Sequence, residues 1–360
     1  MSSTRARSLV SKFPWASTPF IIGAPMRVMS GPNLALAVSK SGGLGFIGPG
    51  AKPADIHTDL ATLRSLVRDA PPSSLPPSFV YSKSLLPVGI GFQLWDGDVD
   101  SAAQAVKEYR PCAAWLFAPK DGQADLDTWT SRLREASPDT QIWIQIGTLQ
   151  EALDILKGKT RPDVIVVQGA EAGGHGRAHD GLGIITLFPE IADALGGDSS
   201  GIGLVAAGGI ADGRGVAAAL ALGADGVVLG TRFLASTEAR ISKGYQQEVV
   251  RATDGARSTT RTMLYNQLRG TTGWPEGYSP RGILNRSWHD HQAGVGFEKL
   301  KRLYAEATKE GDAGWGPEGR LATYAGASVG LIHSVKDAGE IVSELRTEAS
   351  DIIRRNYSRL

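Results

Sequence analysis

The feature that most restricts what this chain can fold into is an alternation, repeated about eight times, of short apolar runs and helical stretches, with no signal for a tight hairpin between them. The runs are Pro19 to Ala24, Leu44 to Ile47, Leu86 to Phe92, Ala113 to Phe117, Gln141 to Ile146, Asp163 to Val167, Gly203 to Ala207 and Gly226 to Leu229. They are nearly continuous in apolar residues rather than alternating, which is how a parallel strand covered on both faces reads. Between them, 30–41, 53–67, 99–109, 126–136, 149–156, 184–195 and 213–222 carry apolar side chains at helical spacing. Ser30 is placed to cap the first helix, with Pro32 near its first position. Strand and helix in strict succession predict a closed α/β (β/α)8 TIM barrel over residues 1–235.

The alternation stops near Glu238, and from there to about Gly330 glycines, tryptophans and polar residues mix with short helical stretches such as Phe297 to Lys309. Residues 236–330 are therefore expected to form a smaller, mainly helical insertion that covers the barrel mouth. Helical periodicity returns with Ile341, Val342, Leu345 and Ile352, so 331–360 is expected to pack back on the barrel wall.

Composition narrows the partners. A chain of 360 residues with 42% hydrophobic content can bury a large core. Its 38 basic and 37 acidic residues, a formal charge of +1, leave no field to gather nucleic acid or an anionic membrane. Asp225 interrupts the longest apolar candidate, Gly215 to Gly230, so no membrane span is expected. One cysteine, Cys112, excludes an internal disulfide and a cysteine-built metal site, and suits a reducing compartment. The basic stretch Met1 to Lys12 reads as a disordered arm, and Ser358-Arg359-Leu360 resembles a peroxisomal C-terminal signal, so a cytoplasmic or peroxisomal location is expected.

The chemistry is expected just past the sixth strand. There Gln168, Gly169, Glu171, Gly173 and Gly174 lead to His175, a loop glycine-rich enough for backbone to approach a ligand and carrying one titratable side chain. A second loop of the same style, Ala206 to Gly215, follows the seventh strand, and the eighth ends in Gly230-Thr231-Arg232. In barrels of this kind the last two strand ends commonly grip a phosphate, using free backbone N–H groups and the positive end of a helix dipole. Gly208, Gly209, Ile210, Gly230 and Thr231 are the candidates, with Arg232 as a further donor. Ala24, Pro25 and Met26 after the first strand, Gln93 after the third, Gln145 in the fifth and Gln168 after the sixth line the same rim. Glutamine amides there suit the edge of a planar heterocycle that needs both donors and acceptors. Phosphate plus heterocycle means a nucleotide-like cofactor, and FMN fits a barrel with no GxGxxG after its first strand.

Four segments, GAPM at Gly23 to Met26, QGAEAGGHGR at Gln168 to Arg177, AAGGIADGRG at Ala206 to Gly215 and ADGVVLGTRFLAS at Ala224 to Ser236, resemble the nitronate monooxygenase family. The resemblance covers the barrel, about two thirds of the chain, and its EAGGH loop is quite specific. It implies an FMN-dependent TIM barrel that oxidises alkyl nitronates with molecular oxygen. It matches Pro25-Met26, Gln168, Gly173-Gly174, Gly208-Gly209 and Gly230-Thr231 to flavin contacts and His175 to the catalytic histidine. The chain departs from the family at Gln145, where some relatives have histidine, at Gln93, where many have asparagine, and in Thr271 to Gly282, which replaces an arginine-rich segment near the mouth.

His175 could take the α-proton of a neutral nitroalkane or, as imidazolium, hold an anionic nitronate, since its unperturbed pKa is ~6.5. Glu171 reads as a loop brace and His179 as exposed. The expected partners are a small-molecule substrate and O2, and the sequence is also compatible with a homo-oligomer. An FMN-dependent enoyl reductase using NAD(P)H and a non-catalytic flavin-binding protein are the alternatives.

Overall fold

Each of the eight apolar runs is a strand of one closed parallel barrel in the computed structural model, which describes residues 9–52, 54–71, 74–76, 79, 85–196 and 200–358. Met1 to Ser8 and Arg359-Leu360, on which the basic arm and the peroxisomal tripeptide largely rest, lie outside the described residues. In chain order the elements through the barrel are β1 (Ile21–Gly23), α1 (Pro32–Lys40), β2 (Leu44–Ile47), α2 (Asp55–Arg68), β3 (Leu86–Gln93), α3 (Val99–Tyr109), β4 (Pro111–Phe117) and α4 (Gln123–Ala136). They continue with β5 (Gln141–Ile146), α5 (Leu149–Lys157), β6 (Val164–Gln168), β7 (Gly174–Arg177), α6 (Ile184–Ala194), β8 (Gly203–Ala207), α7 (Gly213–Ala221), β9 (Gly226–Leu229) and α8 (Thr231–Leu234). The barrel order is β1-β2-β3-β4-β5-β6-β8-β9, closed by β1 against β9 with Ile22 opposite Val228.

The strands are nearly all apolar because both of their faces are covered, with glutamines at a few positions of β3, β5 and β6. β2, β8 and β9 are buried at every residue. Aromatic side chains fill the interior: Phe46 packs 5.1 Å from Trp115 and 5.2 Å from Trp143, between ring centroids. Phe13, ahead of β1, stacks on Phe20 and meets Trp143 edge-on. Helices lie close on the outside. A Cβ on Gly45 of β2 would fall 2.0 Å from the Ala35 carbonyl oxygen of α1, so glycine is what lets this helix rest directly on the sheet.

Ser30 does not cap α1. Gly31 occupies that position without a side-chain bond, while the Ser30 hydroxyl accepts from Met26 N–H at 2.8 Å and donates to Met26 O at 3.3 Å. The serine is thus spent on the turn after β1, where the chain reverses over the barrel mouth.

Beyond the barrel follow α9 (Lys243–Arg251), α10 (Gly255–Ser258), β10 (Thr259–Arg261), α11 (Leu264–Arg269), β11 (Tyr278–Ile283), α12 (Arg286–Gln292), α13 (Phe297–Lys309) and α14 (Ala338–Tyr357). The helices expected in 236–330 are present, with two strands in addition. β10 and β11 pair antiparallel, and β11 pairs in turn with β7, which belongs to the loop after β6. α14 lies on α7, where Glu348 accepts from Gly213 N–H at 3.0 Å. Its Arg346 donates to the carbonyls of Pro19, Ser41 and Gly42, tying the C-terminal helix across the barrel's first turns. Among the described residues no helix is long and apolar enough to cross a membrane.

Overpacking a tight contact costs ~1–3 kcal/mol. Gly45→Ala is therefore expected to lower the thermal midpoint clearly, and by more than Gly296→Ala, where nothing lies within 4 Å of an added Cβ and only the glycine N-cap of α13 is lost. Calorimetry of the two variants side by side checks this.

Candidate active site

At the carboxyl ends of the strands the barrel opens into a cavity of about 420 Å³, within the range of small-molecule and cofactor sites. The structure brings the residues nominated from the sequence, Arg232 excepted, to its wall. Ala24, Pro25 and Met26 follow β1, Gln93 ends β3, Gln145 lies in β5 and Gln168 ends β6. Gly173, Gly174 and His175 come from the next loop, Gly208, Gly209 and Ile210 follow β8, and Gly230 and Thr231 follow β9. The far wall comes from the segment after the barrel, through Arg269, Thr271, Trp274 and Tyr324.

His175 lies within β7 rather than at a loop tip, with Pro280 of β11 as its cross-strand neighbour. Local sequence gave no sign of this strand, because GHGR has little intrinsic preference for one and its partner is a hundred residues away. One buried guanidinium completes the arrangement. Arg261, at the end of β10, donates from Nη1 to Gly174 O (3.2 Å) and Ser279 O (2.6 Å), and from Nη2 to Ala170 O (3.1 Å) and Ala172 O (3.2 Å). Arg281 adds a bond from Nε to Ala170 O at 3.3 Å. Carbonyls of the His175 loop are thus drawn to one side by cations. Burial, with the neighbouring Arg281 and against the opposing pull of Glu171, lowers the Arg261 pKa to about 10, so it stays charged at neutral pH.

The imidazole of His175 lies flat against the indole of Trp274, ring centroids 3.4 Å apart and planes 5° apart. Its Nε2 is 2.8 Å from Asn266 Nδ2, and Asn266 Oδ1 accepts from the Tyr324 hydroxyl at 2.6 Å. Desolvation pushes the His175 pKa down to about 3, helped by the positive charges of Arg261, Arg27 and Arg269. With a folded-state pKa of about 3 the ring of the ligand-free protein is uncharged near neutrality.

The glutamines are partly committed to protein. Gln145 Oε1 accepts from the Trp115 indole N–H at 3.0 Å, so what it can offer a ligand is its amide NH2. Gln168 donates to His175 O at 3.4 Å, and Gln93 accepts from Arg27 at 3.5 Å. Gly208 and Gly209 have φ of +99° and +76°, and a Cβ on Gly209 would press on Glu171 Cβ at 3.0 Å. These corners require glycine on both counts. Thr231 Oγ1 accepts from Gly326 N–H at 2.9 Å and keeps its own proton for a ligand.

Arg232, expected as a phosphate donor, turns away from the cavity. It is buried and donates to Ala235 O and Ser334 O, close to Glu340, Glu344 and Glu348 of α14, because a long side chain leaving that turn finds acidic helix rather than the mouth. Glu171 touches the glycine corners from within the loop, and its backbone carbonyl accepts from Ala327 N–H at 2.9 Å; His179 is exposed. The residues that sequence reasoning missed are Arg27, Arg261, Asn266, Arg269, Trp274 and Tyr324. All but Arg27 lie beyond residue 260, in a region without periodicity, and only folding brings them to the barrel.

A closed parallel barrel with its cavity at the strands' carboxyl ends and glycine corners after its last two strands is a TIM barrel whose candidate ligand site lies where such barrels keep theirs. The family model for nitronate monooxygenase matches residues 110–346. The chain is 59% identical to nitronate monooxygenase npaC of Metarhizium robertsii, over 96% of this chain and 95% of that one. It is 36% identical to a nitronate monooxygenase of Neurospora crassa over 96% and 93%. Among solved structures, FabK from Thermotoga maritima superposes with a TM-score of 0.71 at 25% identity, covering 100% of both chains. The chain belongs to the nitronate monooxygenase family.

Removing Arg261 strands up to four partly buried carbonyls, at ~1–3 kcal/mol for a group left unpaired. Arg261→Met is expected to lose stability in denaturant titration and to raise the His175 pKa, read by NMR, as a buried positive charge is lost. In the native protein the folded state refuses a proton that the unfolded state binds between about 3 and 6.5. Stability carried by neutral His175 is therefore complete above pH 6.5 and declines as pH falls toward 3, and His175→Gln should flatten that acid limb.

Proposed function

We propose that this chain is an FMN-dependent monooxygenase that oxidises alkyl nitronates with O2. The observation that carries the reading is the convergence of glycine corners, glutamine amides and a neutral histidine on one cavity, in a member of this family. The fit to FMN rests on the donor set. Backbone N–H groups at Gly208, Gly209, Gly230 and Thr231 suit a phosphate, and the amides of Gln145 and Gln168 suit a ring that both donates and accepts. When bound, the flavin supplies the electron acceptor between nitronate and oxygen.

The protein's own residues handle charge and position. Burial, reinforced by Arg261, Arg27 and Arg269, keeps His175 uncharged, and the positive field of those arginines favours an anionic substrate over a neutral one. Trp274, Phe117 and Tyr324 give that substrate an apolar enclosure, which excludes water and strengthens those interactions. His175 then faces an anion in a neutral, hydrogen-bonding state. A cytoplasmic or peroxisomal setting and any self-association belong to this reading as accompanying expectations.

Purified protein is expected to carry, or to take up, FMN with a flavin visible spectrum, and to consume O2 and release nitrite from a preformed nitronate without NAD(P)H. NADH oxidation with an enoyl thioester, and no nitronate turnover, would favour the enoyl reductase alternative instead. Gly209→Val places a side chain at a φ of +76° against Glu171. It should weaken FMN binding at least tenfold, measured by flavin fluorescence quenching; unchanged affinity would remove that corner from the cofactor site.

A further inference from the structure

The hydrogen bonds behind His175 run in one direction. A guanidinium only donates, and that of Arg269 lies in hydrogen-bonding reach of the Tyr324 hydroxyl, its central carbon 5.5 Å from the ring centroid. A hydroxyl that accepts from Arg269 has its own proton for Asn266 Oδ1, 2.6 Å away. This orients the amide, whose Nδ2 then faces His175 Nε2 at 2.8 Å. An amide nitrogen has only protons to offer, so Nε2 accepts and the neutral ring carries its proton on Nδ1. Turning the amide over would set its Nδ2 against a Tyr324 hydroxyl that already faces Arg269, with only the Thr271 hydroxyl left beside it to accept.

The chain of donors is also held rigidly. Asn266 is fully buried in α11, with its backbone carbonyl bound by Thr271 N–H at 2.9 Å and by the Thr271 hydroxyl at 3.4 Å. Trp274 stacked on the imidazole face restrains the ring. The lone pair of His175 therefore points at Asn266, and not at anything in the cavity from which a proton could be taken.

We propose, resting on the nitronate reading above, that Asn266 is a positioning residue that presents His175 as an Nδ1–H hydrogen-bond donor to a nitronate oxygen, and so commits the site to substrates that arrive already deprotonated. His175 is then a binding group for the anion and not a general base. Discrimination between a nitronate and its parent nitroalkane comes from an amide two shells of side chains deep in the insertion. The charged and titratable groups facing His175 are Arg261 from β10, Arg269 from α11, Arg27 after β1 and Tyr324, and burial raises the pKa of the Tyr324 phenol so that it stays protonated.

The test uses full-length protein reconstituted with FMN and labelled with 15N-histidine, with His175→Gln assigning the resonance. The native enzyme is expected to show the His175 proton on Nδ1 with no titration between pH 5 and 9; a proton on Nε2 overturns the proposal. Because this readout needs no turnover, it stands or falls apart from the nitronate activity itself. Asn266→Asp supplies an acceptor to Nε2–H, which moves the proton to Nε2, frees Nδ1 as a base and brings His175 into the titration range. The ratio of kcat/KM for nitroalkane over nitronate should rise at least tenfold while nitronate turnover falls. A merely structural role would depress both rates together, and an unchanged ratio overturns the proposal. If that variant does not fold, Tyr324→Phe removes the donor that orients the amide and should give a mixture of tautomers; a pure Nδ1–H signal there overturns it.

Discussion

A single buried cation organises the working end of this barrel. Arg261 reaches from β10 to the carbonyls of Ala170, Ala172, Gly174 and Ser279, and so holds the loop after β6 and the strand β11 against one another. Neither segment has a reason of its own to be ordered. A glycine-rich loop loses more conformational entropy on folding than other backbone, and a short antiparallel ribbon is marginal alone. The guanidinium meets both costs by giving several carbonyls a charged donor, which is worth more than a neutral hydrogen bond. The strand pairing of β7 with β11 follows, and with it the position of His175 under Trp274.

The same cation sets the electrostatics of the cavity. Burial of the His175 ring keeps it neutral, and Arg261 with Arg27 and Arg269 adds positive charge that pushes the same way. A site of that kind welcomes an anion and disfavours a second cation, and a protonated histidine would be that second cation. Asn266 and Tyr324 complete the logic by deciding which nitrogen of the neutral ring bears the proton. Stability and chemistry are thus served by one connected set of polar groups, among which the buried Asn266 has both its amide oxygen and its amide nitrogen engaged.

The barrel was legible because its signal is local and repeated. Ile21, Val166, Val205 and Val228 belong to apolar runs whose length and flanking glycines state strand without reference to anything distant, and α14 announces itself through Ile341, Val342 and Leu345. The glycine corners were legible for the same reason, since Gly208 and Gly209 adopt φ values that other residues rarely accept. Ser30 and Arg232 misled because capping and anion binding were judged from sequence neighbours alone. A serine hydroxyl three atoms from its backbone bonded the preceding turn, and a long arginine followed the acidic face of α14, a helix a hundred residues further on. Nothing in GHGR or in Thr271 to Gly277 says that these two stretches meet, because a cross-strand contact is written in two places at once.

What the sequence by itself determined is therefore the frame: eight buried strands in cyclic order and the glycine loops that end at one rim, because periodicity and backbone permissiveness are properties of adjacent residues. Only the tertiary structure decided the state of the site. The neutrality of His175, its tautomer and its anion-favouring surroundings depend on Arg261, Asn266, Arg269 and Tyr324, and Coulomb and desolvation energies are fixed by distance and burial in space, not by separation along the chain.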